Sequence, residues 1–240
     1  MSPSNLKILF YESTSIGELC LRRRELLSKP GTVVTEITLN HELVMSSYLT
    51  SSERALATEA LARHGGSELS VLVGGLGLGY TANEALQSDR VSRLETIEFL
   101  PEVIGFLRDG LVPLSRELLG NTRFSVRQAD VYRMLREPGQ ERWDLVLIDV
   151  DHSPDEHLGS ENQSFYTEPG LRLAKEHLAS GGIMAVWSYA ESSRFVDAMH
   201  SVFEFVDTVQ VDGVNDLIDD GEFTDWLFIA SDSPFASVPI

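Results

Sequence analysis

The chain has 240 residues, 42% of them apolar and 23% charged, which suits one large α/β domain with a real core and excludes collagen-like, coiled-coil and disordered chains. Nineteen Lys and Arg against 37 Asp and Glu give a net charge of −18, a field that repels phosphate backbones and anionic lipid and attracts small cations. Cys20 is the only cysteine, which excludes an internal disulfide framework and a multi-cysteine metal site.

No apolar run is long enough to span a bilayer, and the opening MSPSNLK lacks the basic-then-apolar pattern of a leader. A cytoplasmic protein without membrane or nucleic-acid partners is therefore expected. The charge is uneven: residues 191–240 hold eleven acidic side chains and one basic one, Arg194.

Residues 1–50 read as a small β region, with strands LKILFY (6–11), GELCLRRREL (17–26) and TVVTEITL (32–39) separated by turn residues. The triplet Arg22-Arg23-Arg24, the sole basic cluster, reads as a solvated face. A second unit is expected over 51–240. Ser51-Ser52-Glu53 opens an amphipathic helix to Arg63 with Leu56, Ala60 and Leu61 on one face, and His64-Gly65-Gly66 stops it.

From Leu69 the rhythm becomes strand–helix alternation. LSVLVGG (69–75) and WDLVLIDV (143–150) are near-continuous apolar runs, as strands buried on both faces should be. Between them come a helix at 80–87, a strand at 93–99, a helix from Pro101, a strand at 123–128 and a short helix after Asp130. A helix over 164–178 capped by Gly181-Gly182, a strand at 183–188 and a helix at 192–202 follow. Strands at 203–211 and 225–230, joined by an acidic loop, close the sheet as an antiparallel pair. The pattern predicts an α/β fold, a mostly parallel sheet with right-handed crossovers.

Chemistry gathers where strands end. Gly74, Gly75, Gly77 and Gly79 lie where an apolar strand turns into a helix, so backbone can approach a ligand and the helix N-terminus offers free N–H groups. A dinucleotide fingerprint would need glycine at position 80, which is Tyr80, and a P-loop would need Gly-Lys-Ser/Thr. The Gly75-x-Gly77-x-Gly79 spacing suits instead an adenosyl sulfonium nucleoside, with tight strand–helix packing as the other explanation of such a turn. Glu98, 19 residues beyond Gly79, ends the second strand of this unit, where a carboxylate can accept both ribose hydroxyls. Asp130 ends the third, where it either caps the next helix or meets the adenine amino group. Asp149, Asp151 and His152 crowd the fourth strand end, and Asp149 needs a partner or a cationic substrate after so apolar a strand. His152 is either a base or an exposed loop residue. With only His157 near it, no metal site is expected.

VLVGGLGLGYTANEAL, TIEFLPEVI, RQADVYRML, WDLVLIDVDHSP and ENQSFYTEPGLRLAKEHLASGGIMAVW together resemble the spermidine synthase family of aminopropyltransferases. The resemblance covers about residues 69–190 and extends more weakly to TEITLNHELVMSS, which looks like the family's N-terminal hairpin. It implies a Rossmann-like class I methyltransferase sheet whose last strand is antiparallel. It also implies glycines that cradle the nucleoside, Glu98 at the ribose, Asp130 near adenine, Asp149 at the attacking amine, and a homodimer formed through the N-terminal strands. Two departures stand out. The family's second carboxylate after the fourth strand is shifted to Asp151, with His152 in its usual place. The family's Tyr-His-Glu triplet is here Ala57-Thr58-Glu59.

The expected reaction is aminopropyl transfer from decarboxylated S-adenosylmethionine to a polyamine-type amine, with Asp149 and Asp151 as the catalytic carboxylates. His152, Glu161, Tyr166 and Trp187 would bind the acceptor, although Trp187 and its neighbour Tyr189 also suit core and rim packing. Two alternatives use the same glycine turn: methyl transfer from intact S-adenosylmethionine to a small molecule, and nucleoside binding without turnover.

Overall fold

The computed structural model describes residues 5–139, 141–150, 152–155, 164–215 and 221–236. Alternating side chains near the start build a four-stranded antiparallel sheet from β1 (Leu6–Thr14), β2 (Gly17–Glu25), β3 (Val33–Leu39) and β4 (Glu42–Ser46), hydrogen-bonded in that order. Asn40 and His41 turn β3 into β4 with φ of 51° and 70°, the left-handed pair that a two-residue hairpin requires. The strand β4 goes beyond what alternation announced, and it is the hairpin that the family resemblance implied.

Arg22 and Glu36 face each other across β2 and β3. The Glu36 carboxylate, only 2% exposed, accepts from Arg22 Nε at 2.8 Å and Arg24 Nε at 2.9 Å, while Arg23 donates to the Leu111 carbonyl at 2.7 Å. The arginine triplet is thus a structural clamp, not the solvated face expected of it. A buried carboxylate needs charged donors, and its neighbours across the strand supply them.

The helix α1 (Ser51–Arg63) follows and buries Leu56, Ala57 and Ala60. The second unit then alternates β5 (Leu69–Gly74), α2 (Tyr80–Leu86), β6 (Val91–Glu98), α3 (Pro101–Arg108), α4 (Ser115–Gly120), β7 (Phe124–Gln128), α5 (Val131–Arg136), β8 (Trp143–Ile148), α6 (Glu168–Lys175), β9 (Leu178–Ser188), α7 (Ser193–His200), β10 (Phe205–Val214) and β11 (Glu222–Ser231). The seven strands run in the order β10-β11-β9-β8-β5-β6-β7. The pairs β5–β6, β6–β7, β5–β8 and β8–β9 are parallel; β11 lies between β9 and β10 and is antiparallel to both.

Several boundaries differ from expectation. The helix α6 starts at Glu168, where the Thr167 hydroxyl caps the Gly170 N–H at 3.3 Å, and it ends at Lys175. Gly181-Gly182 does not cap it. Those glycines lie inside β9, which begins at Leu178 opposite Trp143 and shifts register before Ile183 meets Leu145, an irregularity that glycine suits. The six-residue α4 was not announced by any periodicity. The last two strands reach Val214 and start at Glu222, so the acidic loop is shorter than predicted.

The small sheet closes no core of its own. Leu19, Leu21, Ile37 and Leu39 join Leu56, Val71 and Leu147 in one hydrophobic cluster, so the roof and the nucleotide-fold sheet stabilise each other.

Candidate active site

In the large sheet the strand order reverses between β5 and β8, because β5 leads to β6 on one side and β8 lies on the other. Open α/β sheets bind ligands in the crevice at such a point. Here a cavity of about 790 Å³ opens over the ends of β5, β6 and β8, under an apolar roof from the N-terminal sheet that includes Leu39, Leu43 and Met45.

The floor is the glycine turn. Gly75 has φ of +92°, and a side chain there would collide with the Asp149 carbonyl oxygen, so only glycine fits between the strand ends. Gly77 lines the cavity, and the Met45 sulfur lies over the turn, accepting the Leu78 N–H at 3.1 Å. Gly79 has left-handed φ as the N-cap of α2, backed by Leu118. Gly74 and Gly79 do not themselves line the cavity: the first packs against Val131 and Ile148, and its carbonyl accepts from the Asp149 N–H at 2.9 Å.

Glu98 and Asp130 both face the cavity. Glu98 is buried and ties two loops together, accepting the Leu76 N–H at 2.9 Å and the Leu100 N–H at 2.8 Å. Burial pushes its carboxyl above the usual range, against the pull of the backbone amides of Leu100, Leu76, Phe99 and Gly77. Asp130 caps α5: its Oδ1 accepts from the Tyr132 N–H at 2.9 Å and the Arg133 N–H at 3.1 Å. The cap is real, and the side chain reaches the cavity wall as well.

Asp149 follows β8 directly and lines the cavity. Thr81, in the first turn of α2, donates its hydroxyl to Asp149 Oδ2 at 2.6 Å. Burial pushes Asp149 up to about 6; the Thr81 bond opposes this, and the charge of Asp225 adds to it. Asp225 opens the buried part of β11, and Glu53 stands in the first turn of α1. Burial, then the charges of Asp149 and Asp225, push Glu53 up to about 8. Burial also raises Asp225, although Ser52 and the Trp187 indole favour its charged form. The Trp187 N–H is buried and meets no acceptor in full hydrogen-bonding geometry. Glu53 and Asp149 are thus each raised further by a neighbouring carboxylate.

Neither Glu53 nor Asp225 was among the residues singled out from sequence. Each carried a faint signal: Asp225 precedes the apolar run WLFIA much as Asp149 follows LVLI, and Glu53 was visible only as a helix-start acid. His152 and Trp187 line the cavity, and the His152 ring stands edge-on to Tyr189 at 6.4 Å. Tyr166 is one layer further back. It is buried in the second hydrophobic cluster with Tyr132, its hydroxyl 2.7 Å from that of Tyr132, and of the two only Tyr132 is among the residues that line the cavity. Asp151 and Glu161 lie outside the described residues.

Among the described residues that line the cavity, six are carboxylates and none is Lys or Arg. No group of three or more His, Cys, Asp or Glu among the described residues is placed to hold a metal ion. The arrangement can surround an organic cation and offer it a basic carboxylate beside a nucleoside-sized floor.

No protein-family model and no curated protein sequence matches the chain. Solved structures do. A spermidine synthase in complex with the transition-state analogue AdoDATO superposes with a TM-score of 0.74 at 19% identity, over 95% of this chain and 74% of that one. The spermidine synthase from Thermotoga maritima gives 0.71 at 18% over 95% and 73%. A probable spermidine synthase from Corynebacterium glutamicum ATCC 13032 gives 0.63 at 19% over 96% and 81%. The chain therefore has a Rossmann-like α/β fold with a roofing N-terminal sheet. More particularly, it is the fold that the spermidine synthases adopt.

Proposed function

We propose that the chain is an aminopropyltransferase that uses decarboxylated S-adenosylmethionine and a small cationic amine. The observation that carries this reading is the cavity's charge: a floor of glycine turn, Glu98 and Asp130 runs into a wall of carboxylates, and none of the described lining residues is Lys or Arg. The decarboxylated donor brings a sulfonium and an ammonium into that wall. Intact S-adenosylmethionine would add a carboxylate there, close to Asp149, which repulsion disfavours. That argues against the methyl-transfer alternative. The solved structures of the same fold support the reading independently.

In this mechanism Glu98 accepts the ribose hydroxyls and Asp130 stands near the adenine, flanked by Tyr132. The acceptor's neutral nitrogen attacks the methylene next to the sulfonium sulfur. The new N–C bond forms as the C–S bond breaks, the bonding pair returns to sulfur, and methylthioadenosine leaves as a neutral thioether. The product nitrogen, now cationic, gives its proton to Asp149. A carboxyl raised towards neutrality suits that task better than an ordinary one, since a general base works best with a pKa near the working pH. Thr81 fixes the Asp149 orientation through Oδ2 and leaves Oδ1 for the amine. Most of the acceleration comes from holding nitrogen, carbon and sulfur in line.

Two experiments test this. Thermal shifts with decarboxylated S-adenosylmethionine, intact S-adenosylmethionine and methylthioadenosine should rank the decarboxylated donor above the intact one; the opposite order would move the chain to methyl transfer. Asp149→Asn should lower aminopropyl turnover by about a hundred- to ten-thousand-fold while methylthioadenosine affinity stays within a factor of about three. Unchanged turnover in that variant would remove Asp149 from the chemistry.

A further inference from the structure

The N-terminal sheet holds a second cavity, of about 440 Å³, that the mechanism above does not use. It opens beside the first, and Leu43, Ser46, Leu49 and Asn215 line both. Leu26 and Leu27, in the turn from β2 to β3, extend its wall beyond those shared residues. The aliphatic lining is therefore continuous: Ile37 and Leu39 in the first cavity, Leu43 and Leu49 at the junction, Leu26 and Leu27 in the second. Leu27 is 81% exposed and Leu43 53%. One exposed leucine needs no explanation, but two that flank one groove leave apolar surface in water at a site shaped to hold a ligand.

The two cavities differ in charge. In the first, the described carboxylates face no Lys or Arg, and the donor's own sulfonium and ammonium answer them. In the second, Glu36 is the one carboxylate among the described lining residues, and Arg22 and Arg24 already hold it at 2.8 and 2.7 Å. A further cation would gain no partner there and would lose water beside leucines. An alkyl chain would gain by leaving water.

Resting on the aminopropyl-transfer reading, we propose that the second cavity receives an uncharged aliphatic tail of the acceptor. The amine end stands at Asp149, and the tail passes Leu43 and Leu49 to lie against Leu26 and Leu27. The chain then selects amines with one cationic end and a long apolar tail over diamines of the same length.

The test is calorimetric titration of the full chain with butylamine, hexylamine, octylamine and 1,8-diaminooctane, each below its micelle concentration, with and without saturating methylthioadenosine. Every added methylene that enters the groove should tighten binding roughly threefold. Octylamine should then exceed butylamine by about 30- to 100-fold. 1,8-Diaminooctane should bind at least about fivefold more weakly than octylamine, because its second charge meets leucines. Leu27→Asn should remove most of octylamine's advantage, and Leu27→Met should keep it. Affinity that does not rise with chain length would overturn the proposal, as would a diamine that binds tighter than octylamine. Equal weakening of butylamine and octylamine by Leu27→Asn would mean a general disturbance and would overturn it too. Sedimentation of wild type and Leu27→Asn covers the remaining occupant: a wild-type dimer that the substitution dissociates, with octylamine's advantage intact, would give these leucines to a second copy of the chain. A chain-length gain without aminopropyl turnover from the decarboxylated donor would keep the tail site and defeat the aminopropyl-transfer reading. Aminopropyl turnover without a chain-length gain would do the reverse.

Discussion

Glu98 bonds to backbone from two loops at once, so in the proposed site its removal does more than lose a ribose contact. Glu98→Ala frees the Leu76 and Leu100 N–H groups, which are buried and would need new partners. We expect methylthioadenosine affinity to fall by about 10- to 100-fold, measured by calorimetry; an unchanged dissociation constant would take Glu98 out of the nucleoside half. That Gly75, Glu98 and Asp130 would meet at one cavity was legible in sequence because each lies at or within two residues of a strand end, and strand ends in a parallel sheet share one edge. Glu53 and Asp225 were not legible, since their proximity depends on where α1 and β11 dock. Tyr166 shows the converse: its type and spacing fitted an acceptor wall, but its ring packs into the second hydrophobic cluster and the residue does not line the cavity.

The glycine turn behaves as an element in its own right. Gly75→Ala adds a side chain at φ of +92° and against the Asp149 carbonyl, a strain of about 2 kcal/mol or more, or roughly 4–8 °C in Tm for a chain of this size. A thermal melt checks the stability cost. Nucleoside affinity should fall in parallel, since Asp149 must move. The strands β5 and β8 could be read from sequence because burial on both faces removes polar interruptions. Gly181-Gly182 misled for a physical reason: glycine marks a helix end and a strand irregularity equally well, and only the pairing of Leu178 with Trp143 decides between them. The hairpin strand β4 was hidden because its residues are mostly exposed, which leaves little apolar alternation to see.

For the molecule as a whole, the carboxyl set predicts an unusual pH response. Glu53, Asp149 and Asp225 all have raised values, so between the ordinary carboxylate range and about 8 the folded chain holds more protons than the unfolded one. Their contribution is greatest below the ordinary range and is lost as pH rises through the raised values. Glu36, held low by Arg24 and Arg22, works the other way, and its contribution is lost as pH falls through its depressed value. Thermal melts of the ligand-free protein should therefore show Tm falling from pH 5.5 to 8.5, and Glu53→Gln should flatten that fall. A slope identical to wild type in the variant would mean that other groups set the alkaline limb. Added acceptor amine should restore most of the stability lost at pH 8.5, because a bound cation replaces the proton.

The position of β11 has one more consequence, for synthesis. It is the later-made member of its hairpin, yet it sits inside the sheet, covering β9 on one side and supporting β10 on the other. A nascent chain that has reached only residue 215 thus presents β9 as a bare edge of unpaired N–H and C=O groups between apolar side chains, a template for pairing with a second ribosome's product. Inserting residues 222–231 removes that hazard and delivers Asp225 to the cavity in the same motion. Closing the sheet and completing the carboxylate-lined cavity are then one event.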